Sequence, residues 1–312
     1  MTIVEGIRQL LRQNPLTKIL ACAPSNSAAD LIAEKLASAL SPDELFRFYA
    51  PSRPEEATSS KLGKHTHRVQ GTYTVPPMSR MTRFRVIVST CVSASIFHGI
   101  GMERGHFGYI FVDEAGQATE PEVMIAVKTM ADNGTRLILS GDHKQLGPII
   151  RSDVVRALGL EISYLERLMS RDGYEEVQNY GIRFSNPCPA VTQSTHPVFS
   201  VVKLVKNFRS HEAILRFPNE KFYRGDLQAF ASRQVIDSFI NKAILPNPRF
   251  PILFHGIVGQ DDRDASSPSF FNIDEVTEVK DYVMQLKERY RISSSSGVFI
   301  KHRLLILHPS GP

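Results

Sequence analysis

Four apolar runs without polar alternation constrain this chain more than any other feature: Ile19 to Ala23, Phe84 to Thr90, Tyr109 to Asp113 and Arg136 to Gly141. A strand with one face in water alternates polar and apolar side chains. Unbroken runs therefore predict strands buried on both faces, and so an α/β fold with a parallel sheet flanked by helices. The helices are legible between them. Thr2 to Gln13 sets Ile3, Ile7, Leu10 and Leu11 on one face, and Asn26 to Ala39 does the same with Leu31, Ile32, Leu36 and Leu40. Thr119 and Glu122 have capping-box spacing ahead of Val123-Met124-Ile125, so a helix starts there.

At 312 residues the chain is long enough for two domains. The stretch Tyr180 to Ser200 is rich in Pro, Ser, Thr and Asn and reads as a linker or insertion. That divides the chain into 1–180, a connecting 181–200, and 201–312. The second part opens with a strand at Val201–Val205, and Pro251–His255 is a further strand candidate. Asn272, with Glu275, caps a helix from Ile273 to about Arg289 that turns Val276, Val279, Val283 and Leu286 to the core. Gly297–Ile300 could start another strand, and His308–Pro312 reads as unstructured.

A hydrophobic content of 42% with 22% charged residues excludes a disordered chain. The excess of 37 Lys and Arg over 32 Asp and Glu is a mild bias towards polyanions, which an ordinary basic surface would also give. Cys22, Cys91 and Cys188 stand far apart, so neither a zinc site nor a disulfide scaffold is indicated, and Cys22 and Cys91 read as small core residues. No apolar stretch reaches membrane-spanning length, and Glu5, Arg8 and Arg12 stand where a signal peptide would be apolar. These features describe a soluble, intracellular chain without a membrane partner.

The polar clusters fall where such a fold binds ligands, beyond the carboxyl ends of its strands. Asp113-Glu114-Ala115-Gly116-Gln117 closes one run, and Gly141-Asp142-His143-Lys144-Gln145-Leu146 closes the next. Asp113 can hold Mg²⁺, Glu114 can orient and deprotonate an attacking water, and a glutamine on the neighbouring strand end can sense a γ-phosphate. Pro24-Ser25-Asn26-Ser27 follows the first strand with hydroxyls, an amide and helix N-terminal N–H groups that suit phosphate or sugar, and Ser89-Thr90 repeats the pattern. Both clusters would serve equally as plain helix caps. In Lys206-Asn207-Phe208-Arg209-Ser210, Arg209 fits either a surface salt bridge or an arginine finger, and Phe208 reads as a core residue.

The ordered set resembles the superfamily 1 helicases of the up-frameshift type. Cys22 to Asp30 is similar to their motif Ia, Asp113 to Glu122 to motif II, Gly141 to Pro148 to motif III, and Lys203 to His211 to motif IV. Ser163–Leu168, Phe250–Gly256 and Ser267–Asn272 resemble the Armitage-like RNA helicases of small-RNA silencing. The resemblance covers about Thr2 to Gly297. It implies tandem RecA-like P-loop NTPase domains, both ends incomplete, that use ATP and Mg²⁺ to unwind or translocate on single-stranded or structured RNA.

By that resemblance Asp113, Glu114, Gln145 and Arg209 are catalytic, with Asp113 the metal ligand. Gln117, Gly141 and Asp142 join Asp113, Gln145 and Arg209 around the nucleotide, and Pro24, Ser25, Asn26, Ser89 and Thr90 line the RNA path. Silencing proteins as partners and a place in cytoplasmic ribonucleoprotein granules are implied by the resemblance alone. The chain holds no G-x-x-x-x-G-K-[ST] to cradle phosphates. In the family the helix begun by Thr2 follows that loop directly, and this sequence stops before the family's late helicase motifs. The expectation is thus a helicase core that hydrolyses ATP poorly or not at all as this chain. A non-catalytic RNA-binding scaffold and a DNA helicase remain open as alternatives.

Overall fold

The computed structural model describes residues 2–171, 201–263 and 270–290. They fall into two compact units, Met1–Leu204 and Val205–Pro312. The segment 181–200, Cys188 and the strand candidate at 297–300 lie outside the described residues.

The first unit runs α1 (Thr2–Gln13), β1 (Ile19–Ala23), α2 (Asn26–Ala37), β2 (Leu45–Arg47), β3 (Val86–Thr90), β4 (Tyr109–Val112), α3 (Glu120–Met130), β5 (Arg136–Leu139) and the short α4 (Tyr164–Met169), with smaller turns between. Its strands form one sheet in the order β2-β3-β1-β4-β5, and every neighbouring pair is parallel. The runs of β1, β3 and β4 thus became doubly covered strands, as expected, whereas β5 did not: Arg136 and Leu137 are exposed, and Ile138 and Leu139 are half-buried. Alternation along β1 divides its side chains between two cores. Leu20 and Cys22 pack with Val123, Ala126 and Met130 of α3. Ile19, Ala21 and Ala23 pack with Ile3, Ile7 and Leu11 of α1 and Ile32 and Leu36 of α2. Burying each such Ile or Leu contributes about 1.5–3 kcal/mol, so the apolar faces of α1 and α2 hold them on the sheet.

Two details differ from the sequence reading. Leu31 is 54% exposed, because the buried stripe of α2 is Ala29, Ile32, Ala33 and Leu36 and Leu31 falls to one side of it. The strand β2 was not foreseen. It is three residues long, and all three residues, Arg47 included, are buried.

In the second unit β6 (Lys206–Asn207) pairs in parallel with β7 (Gln228–Ala229), and α5 (Glu212–Phe222) connects them. Then β8 (Asp261–Arg263) pairs antiparallel with β9 (Phe270–Asn272), and α6 (Ile273–Tyr290) follows. The expected strand at Val201–Val205 does not form. Pairing starts at Lys206, and Val205 supplies only a carbonyl to the Gln228 amide at 2.8 Å. Nor is Pro251–His255 a strand. Among the described residues no strand pairs with it, and Phe254 stays 76% exposed. Asn272 does cap α6, its Oδ1 accepting from the amides of Asp274 and Glu275. Val276 is exposed and Val279, Val283 and Leu286 are half-buried, so that face lacks the expected cover among the described residues.

Candidate functional site

The carboxyl ends of β1, β3, β4 and β5 share one edge of the first unit's sheet, and each ends in a polar turn. Two of those turns are locked together. The Asp113 amide donates to the Cys22 carbonyl at 2.9 Å, the Ser140 amide to Val112 at 2.8 Å, and the Ala115 amide back to Ser140 at 2.8 Å. Glu114 adopts a left-handed backbone, φ 53°, a conformation that costs a non-glycine residue about 1–3 kcal/mol and persists only where surroundings impose it. Here the Ala115 bond on one side and the Gln117 amide on the Glu114 carbonyl, 2.9 Å, impose it.

The two glycines explain the close approach. A Cβ on Gly116 would stand 2.8 Å from the Asp142 carbonyl oxygen, and one on Gly141 would stand 2.9 Å from the amides of Ala115 and Gly116. The turns therefore touch backbone to backbone. Asp113 is half-buried at the strand end while Glu114 and Gln117 are exposed, with Gln117 Nε2 donating to Glu114 Oε2 at 3.4 Å. On the facing turn Asp142 accepts from the Lys144 amide at 3.0 Å and from Gln145 Nε2 at 2.8 Å. His143, half-buried in this turn, has its pKa lowered by burial first and by Lys144 next. Asp113, Glu114, Gln117, Gly141, Asp142 and Gln145 thus lie along one seam.

The turn after Gln117 is equally firm. Thr119 and Glu122 close the expected capping box at the start of α3. Arg167 of α4 pairs with Glu120 through both carboxylate oxygens, a contact that sequence reasoning did not find. Among the described residues no group of three or more His, Cys, Asp or Glu could hold a metal.

The proposed RNA path divides. Ser25 caps α2, accepting from the Ala28 amide at 3.2 Å, with Ser27 Oγ 3.1 Å away. Pro24 and Asn26 are half-buried beside it. Thr90 donates its hydroxyl to Ser93 Oγ at 2.8 Å. Ser89 does not fit the role: it is fully buried and donates to the Thr90 carbonyl at 3.0 Å. It sits in register with Cys22, on the same side of β3 as Ile87 of the α3-side core. Arg209 belongs to the second unit. An Asx turn shapes its loop, Asn207 Oδ1 accepting from the amides of Arg209 and Ser210 at 2.9 Å each. Its side chain is exposed and makes no hydrogen bond or ion pair among the described residues. Phe208 is 66% exposed, not a core residue.

Two family models, each described as an AAA domain, match residues 55–153 and 191–303. The first of them spans both locked turns. The human RNA helicase Mov10l1 is 40% identical over 309 residues, covering 97% of this chain and 24% of that protein. Its mouse counterpart is 38% identical over 97% of this chain and 25% of its own length. The Drosophila melanogaster protein named "Probable RNA helicase armi" is 30% identical over 89% of this chain and 25% of its own. The chain spans about a quarter of the length of these relatives. The C-terminal part of the Fun30 ATPase domain superposes with a TM-score of only 0.28 at 11% identity, over 56% of this chain and 53% of that one.

Proposed function

We propose, for a chain that belongs with the up-frameshift-type helicases of the Mov10 and Armitage branch, that it forms the hydrolytic and RNA-contacting part of an ATP-dependent RNA helicase. The observation that carries this reading is the locked seam, in which Glu114 is held left-handed against the Asp142 turn. Asp113 would hold Mg²⁺, which supplies charge neutralisation at the transferred phosphoryl group when bound. Glu114, exposed beside it, would orient the attacking water and take its proton. Gln117 and Gln145 already engage carboxylates through their side-chain amides and would turn those donors to phosphate oxygens. For Arg209, which lies in the second unit, a role at the nucleotide is proposed from the family resemblance only.

No residue of this chain supplies a phosphate cradle of the G-x-x-x-x-G-K-[ST] kind, so the chain on its own should bind RNA yet hydrolyse ATP poorly. A second reading is a scaffold that binds RNA without catalysis. Silencing proteins as partners and cytoplasmic granules as location are proposed from the family resemblance only.

The test is fluorescence anisotropy with single-stranded RNA over a salt series, beside phosphate release with and without RNA. Salt-dependent binding with background hydrolysis is expected. Absence of RNA binding would refute the reading. RNA-stimulated hydrolysis lost in Glu114→Gln would overturn the predicted inactivity and place Glu114 as the base.

A further inference from the structure

We infer that Arg47 is a positioning residue for the RNA path, fixing the side-chain amide of Asn26 so that only hydrogen-bond donors face the ligand; this rests on the RNA-binding reading above. Arg47 stands at the end of β2 and is fully buried. Its guanidinium is held on several sides. Nε donates to Asp30 Oδ1 at 2.8 Å, Nη1 to the Phe48 carbonyl, and the group lies 4.2 Å from the centroid of the Tyr49 ring. Tyr49 in turn donates to the same Asp30 oxygen at 2.8 Å. The remaining nitrogen, Nη2, reaches Asn26 Oδ1 at 2.9 Å and, more weakly, the Asn26 carbonyl at 3.4 Å.

An arginine can only donate, so whatever meets Nη2 must be an acceptor. That settles which way the Asn26 amide is turned: its oxygen meets Arg47, which leaves its NH₂ to find another partner. Among the described residues nothing accepts from that NH₂. Its neighbours are committed elsewhere, since Ser25 caps α2, Thr90 donates to Ser93 and Ser89 is buried. Asn26 is thus the one member of the proposed path that offers two unengaged donors, and it offers them because a buried arginine 21 residues away holds its oxygen. A phosphate or ribose oxygen is the matching partner, and a donor-rich ligand is refused.

The experiment measures affinity for labelled oligouridylate by anisotropy, with a thermal melt of each variant. Asn26→Asp keeps an oxygen for Arg47 and puts an acceptor where the NH₂ was. Its melting temperature should be unchanged or higher, while affinity falls by on the order of ten- to a hundredfold, as for loss of a hydrogen bond to a charged group. Ser27→Asp adds the same charge one residue on, at an exposed position, and should cost clearly less. In Arg47→Lys the ammonium keeps the charge beside Asp30 but cannot fork to Asn26. Its effect on affinity should be present in the parent and absent in an Asn26→Ala background.

Equal losses from Asn26→Asp and Ser27→Asp, or an Arg47→Lys effect that persists without Asn26, would overturn the inference. If Arg47→Lys fails to fold, the aspartate pair still decides. Failure of the parent chain to bind oligouridylate would refute the RNA-binding reading itself, and the inference with it.

Discussion

A methyl group at Gly116 or Gly141 is expected to loosen the seam between the two acidic turns. In Gly116→Ala the new Cβ would lie 2.8 Å from the Asp142 carbonyl oxygen and 3.2 Å from its carbon. Carbon–oxygen and carbon–carbon contacts settle at about 3.3–4.0 Å, so the turn must retreat by roughly 0.5–1 Å. Both surfaces are backbone, and neither has a flexible end that could swing aside. Forced overpacking of this kind costs about 1–3 kcal/mol. In a unit of about 200 residues that lowers the melting temperature by roughly 2–4 °C per kcal/mol, about 2–12 °C in all.

Gly141→Ala presses the same seam from the other side, against the amides of Ala115 and Gly116 at 2.9 Å and Leu165 Cδ2 at 3.2 Å. Once one methyl has opened the seam, the second meets less resistance, so the double variant should lose less than the sum of the singles. Gly108, around which no atom lies within 4 Å of a built Cβ, provides the control. Thermal melts by circular dichroism decide the matter. If Gly116→Ala melts within about 1 °C of Gly108→Ala, or the two seam variants add fully, the seam is not under backbone contact and the reasoning fails.

Other outcomes follow from single environments. Gly6 lies inside α1 with no atom within 4 Å of a built Cβ, so Gly6→Ala should raise stability by roughly 0.5–1 kcal/mol, and a lower melting temperature would contradict this. His106 has its pKa lowered, by burial first and then by Lys18, and its buried Nε2 has no hydrogen-bond partner among the described residues. On acidification the unfolded chain takes up that proton before the folded one does. Stability should therefore fall as pH drops below the ordinary histidine value near 6.5, and His106→Gln should flatten that slope in melts between roughly pH 5.5 and 7.5. Burial pushes the Cys22 thiol up to about 12 and raises Cys91 as well, so iodoacetamide at about pH 8 should label neither in the folded chain by peptide mass mapping. Arg167→Gln breaks an ion pair whose members are about one-third exposed and should cost at most about 1 kcal/mol by denaturant titration, since solvent screens such pairs.

What could be read from the sequence was what short range decides. The boundaries of α1 and β1, the Thr119–Glu122 box and the Asn272 cap each depend on residues a few positions apart, and each appeared where expected. So did the placing of Asp113 and Asp142 past the ends of β4 and β5. Several of the failures share one cause, which is that the deciding partner is distant in the chain. Arg47 meets Asn26 across 21 residues and Arg167 meets Glu120 across 47. A charged residue with no local partner reads as solvent-facing until the fold delivers one. The strands expected at 201–205 and 251–255 were apolar enough, but a strand exists only where a neighbour offers its backbone, and apolarity does not report that.

Ser89 is the instructive case, because its error was avoidable. In β3, Val86 and Val88 face the α1–α2 core while Ile87 faces the other. Strand alternation then sends Ser89 to the side of Ile87, still inside, and leaves Thr90 as the first residue past the covered edge. Counting parity back from a strand's end separates a hydroxyl that can touch RNA from one that only satisfies a neighbouring carbonyl. The same parity predicts the experiment: Ser89→Ala should leave RNA affinity unchanged and shift only the melting temperature, whereas a loss of affinity at unaltered stability would show that β3 presents its end differently.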